Sequence, residues 1–113
     1  MGSKSCVLVT DGQERAALAV TRSLGQAGIP VVVGAEIPKS LAGASKYCHQ
    51  TWQYPSPLED PSRFVSSLVD AVGRLGITAI MPVTDSTTQL LAARRDQFPA
   101  AVLNAIPPLE SYE

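Results

Sequence analysis

The stretch from Ser5 to Gly28, SCVLVTDGQERAALAVTRSLGQAG, leaves little choice of architecture. It reads as a buried strand, a tight turn and a helix that stops on glycine. Cys6-Val7-Leu8-Val9 is a continuous apolar run, the mark of a strand covered on both faces rather than alternating with water. Asp11 stands where a helix N-cap belongs, and Glu14 follows three residues on, an aspartate version of the capping box. Ala17, Val20, Leu24 and Ala27 fall on one helical stripe, while Gln13, Arg15, Arg22 and Gln26 fall off it. Gly28 is placed to close the helix in the left-handed conformation, and Pro30 prevents its continuation. A strand feeding a helix in this way is the first half of a βαβ unit.

The rest of the chain repeats the unit. Ile29–Val33 is a second strand, β-branched and bounded by Pro30 and Gly34. Gly34–His49 is long for a connection and rich in small residues; such loops are often functional, and the alternative is a crossover with one poor helical turn around Leu41–Tyr47. Thr51–Tyr54 alternates where the first two strands do not, which puts it near the sheet edge. Asp60-Pro61 is a cap followed by proline at the first helical position; Phe64, Leu68, Val72 and Leu75 carry the helical spacing, and Gly76 ends it. Ile77–Val83 is apolar throughout and reads as a central strand. Thr84-Asp85-Ser86 opens a third helix running to about Gln97, with Leu90, Leu91 and Ala93 inward and Arg94-Arg95 in its last turns, where cations suit the helix dipole. Ala101–Leu103 reads as a short fifth strand, and Leu109–Tyr112 as the start of another helix. The expected fold is therefore α/β: a three-layer, open, mostly parallel five-stranded sheet with helices on both faces.

Composition narrows the partners. At 113 residues the chain suffices for one core and is too short for two, so residues 1–113 are read as a single domain. A net charge of −1 gives no electrostatic case for nucleic acid or an anionic membrane. No apolar run approaches the ~18 residues of a membrane span. Cys6 and Cys48 have neither CxxC spacing nor companions for a metal site. Cys6 belongs to the first strand as a small hydrophobe, nothing requires a disulfide, and a reducing, cytoplasmic setting is expected.

In a sheet of order third–second–first–fourth–fifth, the chain reverses direction between the first and fourth strands, and ligands bind in the crevice outside their carboxyl ends. That places Thr10-Asp11-Gly12-Gln13 on one lip and Pro82-Val83-Thr84-Asp85-Ser86 on the other. Both lips lead into helix N-termini, whose free N–H groups suit an anion. Asp11 and Asp85 read either as paired carboxylates for acid–base work or as two helix caps, and a cap can also touch a ligand. Arg15 lies in a first helical turn, where a cation opposes the dipole at a cost of roughly 0.3–1 kcal/mol. Either Asp11 or Glu14 offsets it, or it meets a carboxylate or phosphate in the crevice. Ser45-Lys46 is a further candidate contact, with a solvated loop as the alternative. Sharper chemistries fail. TDGQERAALA has one glycine where a dinucleotide fingerprint needs GxGxxG, there is no GxxxxGK[ST], and His49, the sole histidine, has no ligand pattern near it.

With both lips placed, VLVTDGQERAALAVTRSLGQAGIPVVVG, SLAGASKYC and ITAIMPVTD together resemble the N-terminal domain of ATP-grasp carboxylate–amine ligases, most closely those similar to the carbamoyl-phosphate synthetase large subunit. The resemblance runs from Cys6 to Tyr112. It is carried by the R-x-x-L-A-x-x-R-S-L-G helix (Arg15, Leu18, Ala19, Arg22, Ser23, Leu24, Gly25) and the P-V-T-D turn (Pro82 to Asp85). It implies a Rossmann-like preATP-grasp domain that lends Asp11, Gly12, Arg15, Thr84 and Asp85 to the acceptor-substrate side. The implied reaction joins a small-molecule carboxylate, through an acylphosphate, to an amine or similar nucleophile. The lysines that hold ATP and the ligands of Mg2+ belong to family domains beyond this sequence. The resemblance thus implies a chain that binds no cofactor and is not catalytic alone, within a longer parent that uses ATP and Mg2+. Its partners would be the ATP-grasp domains of the same parent, with a homodimer among the assemblies allowed. A stand-alone Rossmann-like interaction module and the N-terminal half of a glycosyltransferase-like enzyme are the alternative readings.

Overall fold

The computed structural model describes residues 6–103, so the expected helix at Leu109–Tyr112 lies outside the described residues. Four strands, β1 (Val7–Val9), β2 (Val31–Ala35), β3 (Gln50–Gln53) and β4 (Ala79–Met81), form one sheet in the order β3-β2-β1-β4. Every pairing is parallel, with Val7 opposite Val31 on one side of β1 and opposite Ala79 on the other. Three helices, α1 (Arg15–Gln26), α2 (Pro61–Leu75) and α3 (Asp85–Ala93), complete the α/β architecture.

Alternate strand residues turn to opposite faces of a sheet, so one strand feeds two cores. Val7, Val9, Val31 and Val33 join Ala17 of α1 and Ala42 on one face. Leu8, Val32 and Ile80 join Phe64, Leu68 and Leu91 of α2 and α3 on the other. This two-sided burial is why β1 and β2 carry unbroken apolar runs. β3 is the edge expected for it: Gln50, Thr51 and Gln53 are exposed and Trp52 is half-buried.

The helix signals divide. Asp60 accepts the Arg63 N–H at 3.1 Å, Pro61 opens α2, and Gly76 closes it in the left-handed conformation at φ 67°. Helix α1 begins at Arg15 with Glu14 as its cap residue and no side-chain cap, so Asp11 is not its cap. At its other end the Ile29 N–H bonds the Leu24 carbonyl, which makes Ile29 part of the helix closure and moves β2 on to Val31.

Other boundaries shift for local reasons. β4 is shorter than Ile77–Val83: Thr78 and Ala79 N–H both turn to the Cys6 carbonyl, Pro82 has no N–H, and Val83 donates to the Thr10 hydroxyl. Helix α3 stops at Ala93 with Arg94 as its cap residue, and a 3-10 turn takes Arg95–Gln97; Ala92, not Ala93, faces the core. The expected fifth strand at Ala101–Leu103 is instead part of a 3-10 turn, Ala100–Leu103, so the described sheet has four strands rather than five. Val102 and Leu103 are consecutive and bury in the same core, which a residue alternation of two does not allow.

Between β2 and β3 the chain forms successive turns rather than a helix. Ala42 N–H bonds the Gly12 carbonyl, Gly43 N–H the Ser40 hydroxyl, and Ala44 N–H the Ser40 carbonyl. The Tyr47 ring lies against Gly25 of α1, where a Cβ would come within 2.4 Å of the Tyr47 Cβ. Cys6 and Cys48 are free thiols, and burial pushes both up from their ordinary pKa. None of the described helices is long and apolar enough to cross a membrane.

Candidate functional site

The sheet order sets up a crevice at the carboxyl ends of β1 and β4, since β1 runs to β2 on one side and meets β4 on the other. The lip after β1 turns sharply at Asp11, which holds φ 57° and is 5% exposed. A left-handed conformation costs an L-residue roughly 1–2 kcal/mol, less for aspartate, whose short side chain can bond locally.

What holds Asp11 there is a set of hydrogen bonds on every side. Its N–H donates to the Tyr54 hydroxyl oxygen at 2.8 Å, and its carbonyl accepts the Glu14 N–H at 2.9 Å. Carboxylate Oδ2 accepts from the Thr10 hydroxyl at 2.6 Å and from Thr84 N–H at 3.4 Å, with the Thr84 hydroxyl at 3.3 Å. Oδ1 accepts from the Thr87 hydroxyl at 3.1 Å. Thr84 in turn caps α3, its Oγ1 accepting the Thr87 N–H at 3.3 Å. The carboxylate therefore sits at the amino end of α3, where the helix dipole favours a negative charge. It welds the end of β1 to the start of α3.

This arrangement separates the two lips. The amino end of α3, one of the two expected anion sites, is filled by the protein's own Asp11. The amino end of α1 carries no side-chain cap and no acidic residue in its first turn. Arg15 is exposed there, and among the described residues it forms no ion pair with Asp11 or Glu14. Asp85 is exposed in the first turn of α3, and no hydrogen bond links it to Asp11. The two carboxylates thus occupy different environments and do not form a pair. Gly12 is buried: its N–H bonds the Gly34 carbonyl at 3.0 Å, its carbonyl accepts from Ala42, and a Cβ there would lie 2.6 Å from the Ser40 Oγ. It joins the first turn to β2 and to the long loop.

Two clefts flank this framework. One, of about 350 Å³, is lined by Pro38, Lys39, Ser40, Gly43, Ala44 and Thr51. The other lies at the amino ends of β2 and β3, and Lys46 lines it beside Tyr47 and His49. Lys46 is therefore at the opposite end of the sheet from the crevice, 5.3 Å over the Tyr47 ring. Ser45 accepts the Tyr47 N–H.

Tyr54, expected only as the end of the edge strand, reaches the Asp11 turn and belongs to this framework. A hydroxylated aromatic at the carboxyl end of a strand, ahead of Pro55, was the available signal. Its phenol is raised above the ordinary value, chiefly by burial and then by the nearby Asp11 carboxylate, with the Asp11 N–H opposing. The pH consequence has a definite sign. The folded state holds this proton more tightly than the unfolded chain, whose tyrosine titrates near 10. The Tyr54 contribution is thus complete below about pH 10 and declines above it, by up to about 1.4 kcal/mol per pH unit. Urea denaturation from pH 9 to 12 is expected to show a steeper loss for the wild type than for Tyr54→Phe; parallel curves would refute it.

No protein-family model matches the chain, and no curated protein matches it.

Proposed function

We propose that the chain is the Rossmann-like, preATP-grasp N-terminal domain of a cytoplasmic ATP-grasp carboxylate–amine ligase, and that it forms the acceptor-substrate side of the site. The observation that carries the reading is the contrast between the lips. At the switch point, the amino end of α3 is already taken by the Asp11 carboxylate, whereas that of α1 has no side-chain cap and carries an exposed Arg15 with no ion pair among the described residues. A substrate carboxylate suits that end: a guanidinium takes a carboxylate in two parallel hydrogen bonds, and the helix dipole adds to the attraction. On this reading Arg15 binds and orients, Asp11 and Gly12 keep the turn in place, and Thr84 and Asp85 form the facing rim.

On this reading ATP and Mg2+ are held by the parent's other domains. Gly12 is packed against Ser40 and Val33 and does not offer the open backbone that a pyrophosphate needs. The described residues include no group of three or more His, Cys, Asp or Glu side chains suited to a metal. No step through either group is assigned to this chain.

The test is kinetic. In the full-length ligase, ADP release is expected to require both a carboxylic acid and an amine. Arg15→Ala is expected to lower kcat/KM about ten- to hundredfold, the loss of a charge-assisted hydrogen bond of roughly 1.5–3 kcal/mol. Its cost in stability stays under about 0.5 kcal/mol, because the side chain is exposed. The isolated chain is expected to show no saturable rise in melting temperature with Mg·ATP, where a ligand at a hundred times its Kd adds about 2.7 kcal/mol. Wild-type kinetics in Arg15→Ala would remove Arg15 from the site.

A stand-alone interaction module is the second reading. It is favoured by Ile37, Leu41 and Leu58, exposed on the loops after β2 and β3, with Leu58 at 79%. An intact, folded full-length gene product without ATP-dependent ligation would favour it.

A further inference from the structure

We infer that Tyr54 is a positioning residue of the switch-point crevice: its hydroxyl, rather than its ring, keeps Asp11 left-handed and so fixes where Thr84 and the start of α3 stand. The inference rests on the substrate-side reading above for its functional consequence, and on geometry alone for the rest.

Among the described residues, Asp11 is the non-glycine residue with a positive φ. Its carboxylate reaches Thr84 and Thr87 from that conformation, and a return to negative φ would swing the side chain away from both. The N–H is the backbone group that must be held, and the Tyr54 Oη takes it at 2.8 Å. That oxygen is held in place by the packing of its ring. The Tyr54 ring lies edge-on to Phe64 of α2 with centroids 4.8 Å apart, and to Trp52 of β3 at 5.5 Å. Gly34 of β2 makes room for it, since a Cβ there would lie 2.9 Å from Tyr54 Cε2. A helix on the α3 face of the sheet and the edge strand thus bear on the turn at Asp11 through one hydroxyl. Helix α1 and the lip that carries Arg15 follow directly from the Asp11 turn, because Glu14, the α1 cap residue, donates to the Asp11 carbonyl.

Tyr54→Phe keeps the ring stacking and deletes the oxygen. The first readout is amide hydrogen exchange by NMR on the chain itself. Wild-type Asp11 lies outside any helix or strand, yet its N–H is expected to exchange about a hundredfold slower than an open-chain amide. In Tyr54→Phe that protection is lost, and the Thr84 and Thr87 amides, 30 and more residues away in sequence, exchange about tenfold faster. The Val32 and Ile80 amides in the sheet stay as in wild type. The second readout is the full-length ligase, where Tyr54→Phe is expected to lower kcat/KM for the carboxylate about tenfold with KM for ATP unchanged. A wild-type Asp11 amide exchanging at the open-chain rate overturns the inference even if the variant fails to fold. So do unchanged Thr84 and Thr87 amides in Tyr54→Phe, or loosened amides with wild-type kinetics. A wild-type protein that joins no carboxylate to an amine counts against the ligase reading instead, because the exchange result needs no substrate.

Discussion

Asp11→Ala is expected to cost about 3–5 kcal/mol of folding stability, because several buried or part-buried donors lose their acceptor together at about 1–3 kcal/mol each. Read as a helix cap, the same residue would be worth only about 1 kcal/mol. The difference lies in what is left behind. The Thr10 and Thr87 hydroxyls are buried and donate to the carboxylate, as does the Thr84 N–H, so truncation strands several donors at once. Each unsatisfied buried group costs about 1–3 kcal/mol, less what the hydroxyls recover by turning to other acceptors. Alanine must also hold φ 57° or give up the turn. Domains of this kind are stable by about 5–15 kcal/mol in total, so the loss takes a large share. Asp11→Asn keeps the tolerance for left-handed backbone and one acceptor oxygen, and hydroxyls can turn to accept from its amide, so about 1–2 kcal/mol is expected. Urea denaturation with unchanged m-value checks both. An Asp11→Ala loss near 1 kcal/mol would show that the carboxylate does no more than cap a helix.

That network also marks where sequence reasoning stops. Periodicity and punctuation report on local conformation, and they located the two-faced strands, the edge strand, Asp60-Pro61 as a helix start and Gly76 as its end. The strand order followed from right-handed crossovers, and β1 between β2 and β4 is as expected. Asp11 departs from the cap expected of it because its competing partners, Thr84 and Thr87, are more than 70 residues away in sequence. A capping box three residues off is visible locally, while a carboxylate drawn to a distant helix end is not. The Ala101–Leu103 segment was misread for a related reason. A run of three apolar residues fits a strand or a buried turn equally well, and burial of two neighbours in one core decides for the turn. The lips of the crevice were legible as residues, but their division of labour was not. That one amino end is filled from within and the other left open depends on tertiary contacts.

The same contacts tie the long loop to the first helix and the first turn. In SLAGASKYC, Ser40 packs on Gly12 and accepts from Gly43, and Tyr47 packs on Gly25 at the end of the R-x-x-L-A-x-x-R-S-L-G helix. These are joints between the first helix, the first turn and the long loop. They hold the β1–α1 lip against the rest of the sheet, and they would be needed whatever the crevice binds. Arg15, exposed and without an ion pair among the described residues, has no such joint to hold, which makes it the position to test for function.

Two glycines in the last turns of their helices test this framework with opposite signs. Gly73 of α2 is exposed, and a Cβ there meets no atom within 4 Å. Gly73→Ala is expected to stabilise the chain by about 0.5–1 kcal/mol, through helix propensity and a less flexible unfolded state. Gly25 of α1 offers the same gain in propensity but no space. A Cβ there would lie 2.4 Å from the Tyr47 Cβ and 2.7 Å from its Cγ. The clash is with the root of a side chain, so rotation about χ1 cannot relieve it and the loop backbone must move. Overpacking of that kind costs about 1–3 kcal/mol and occasionally more. Here it also lifts the half-buried Tyr47 ring off the helix and strains the Ser45–Cys48 turn that leads into β3. We expect a net loss of about 1–2 kcal/mol for Gly25→Ala, after the propensity gain is subtracted. Measured under one set of conditions, the two variants are expected to move the urea midpoint in opposite directions. The double variant Gly25→Ala/Tyr47→Gly recovers part of the Gly25→Ala loss relative to Tyr47→Gly alone, since the obstructing Cβ and ring are both gone. A neutral or stabilising Gly25→Ala would mean that the loop does not rest on α1, and the β1–α1 lip would lose the support that Tyr47 is assigned.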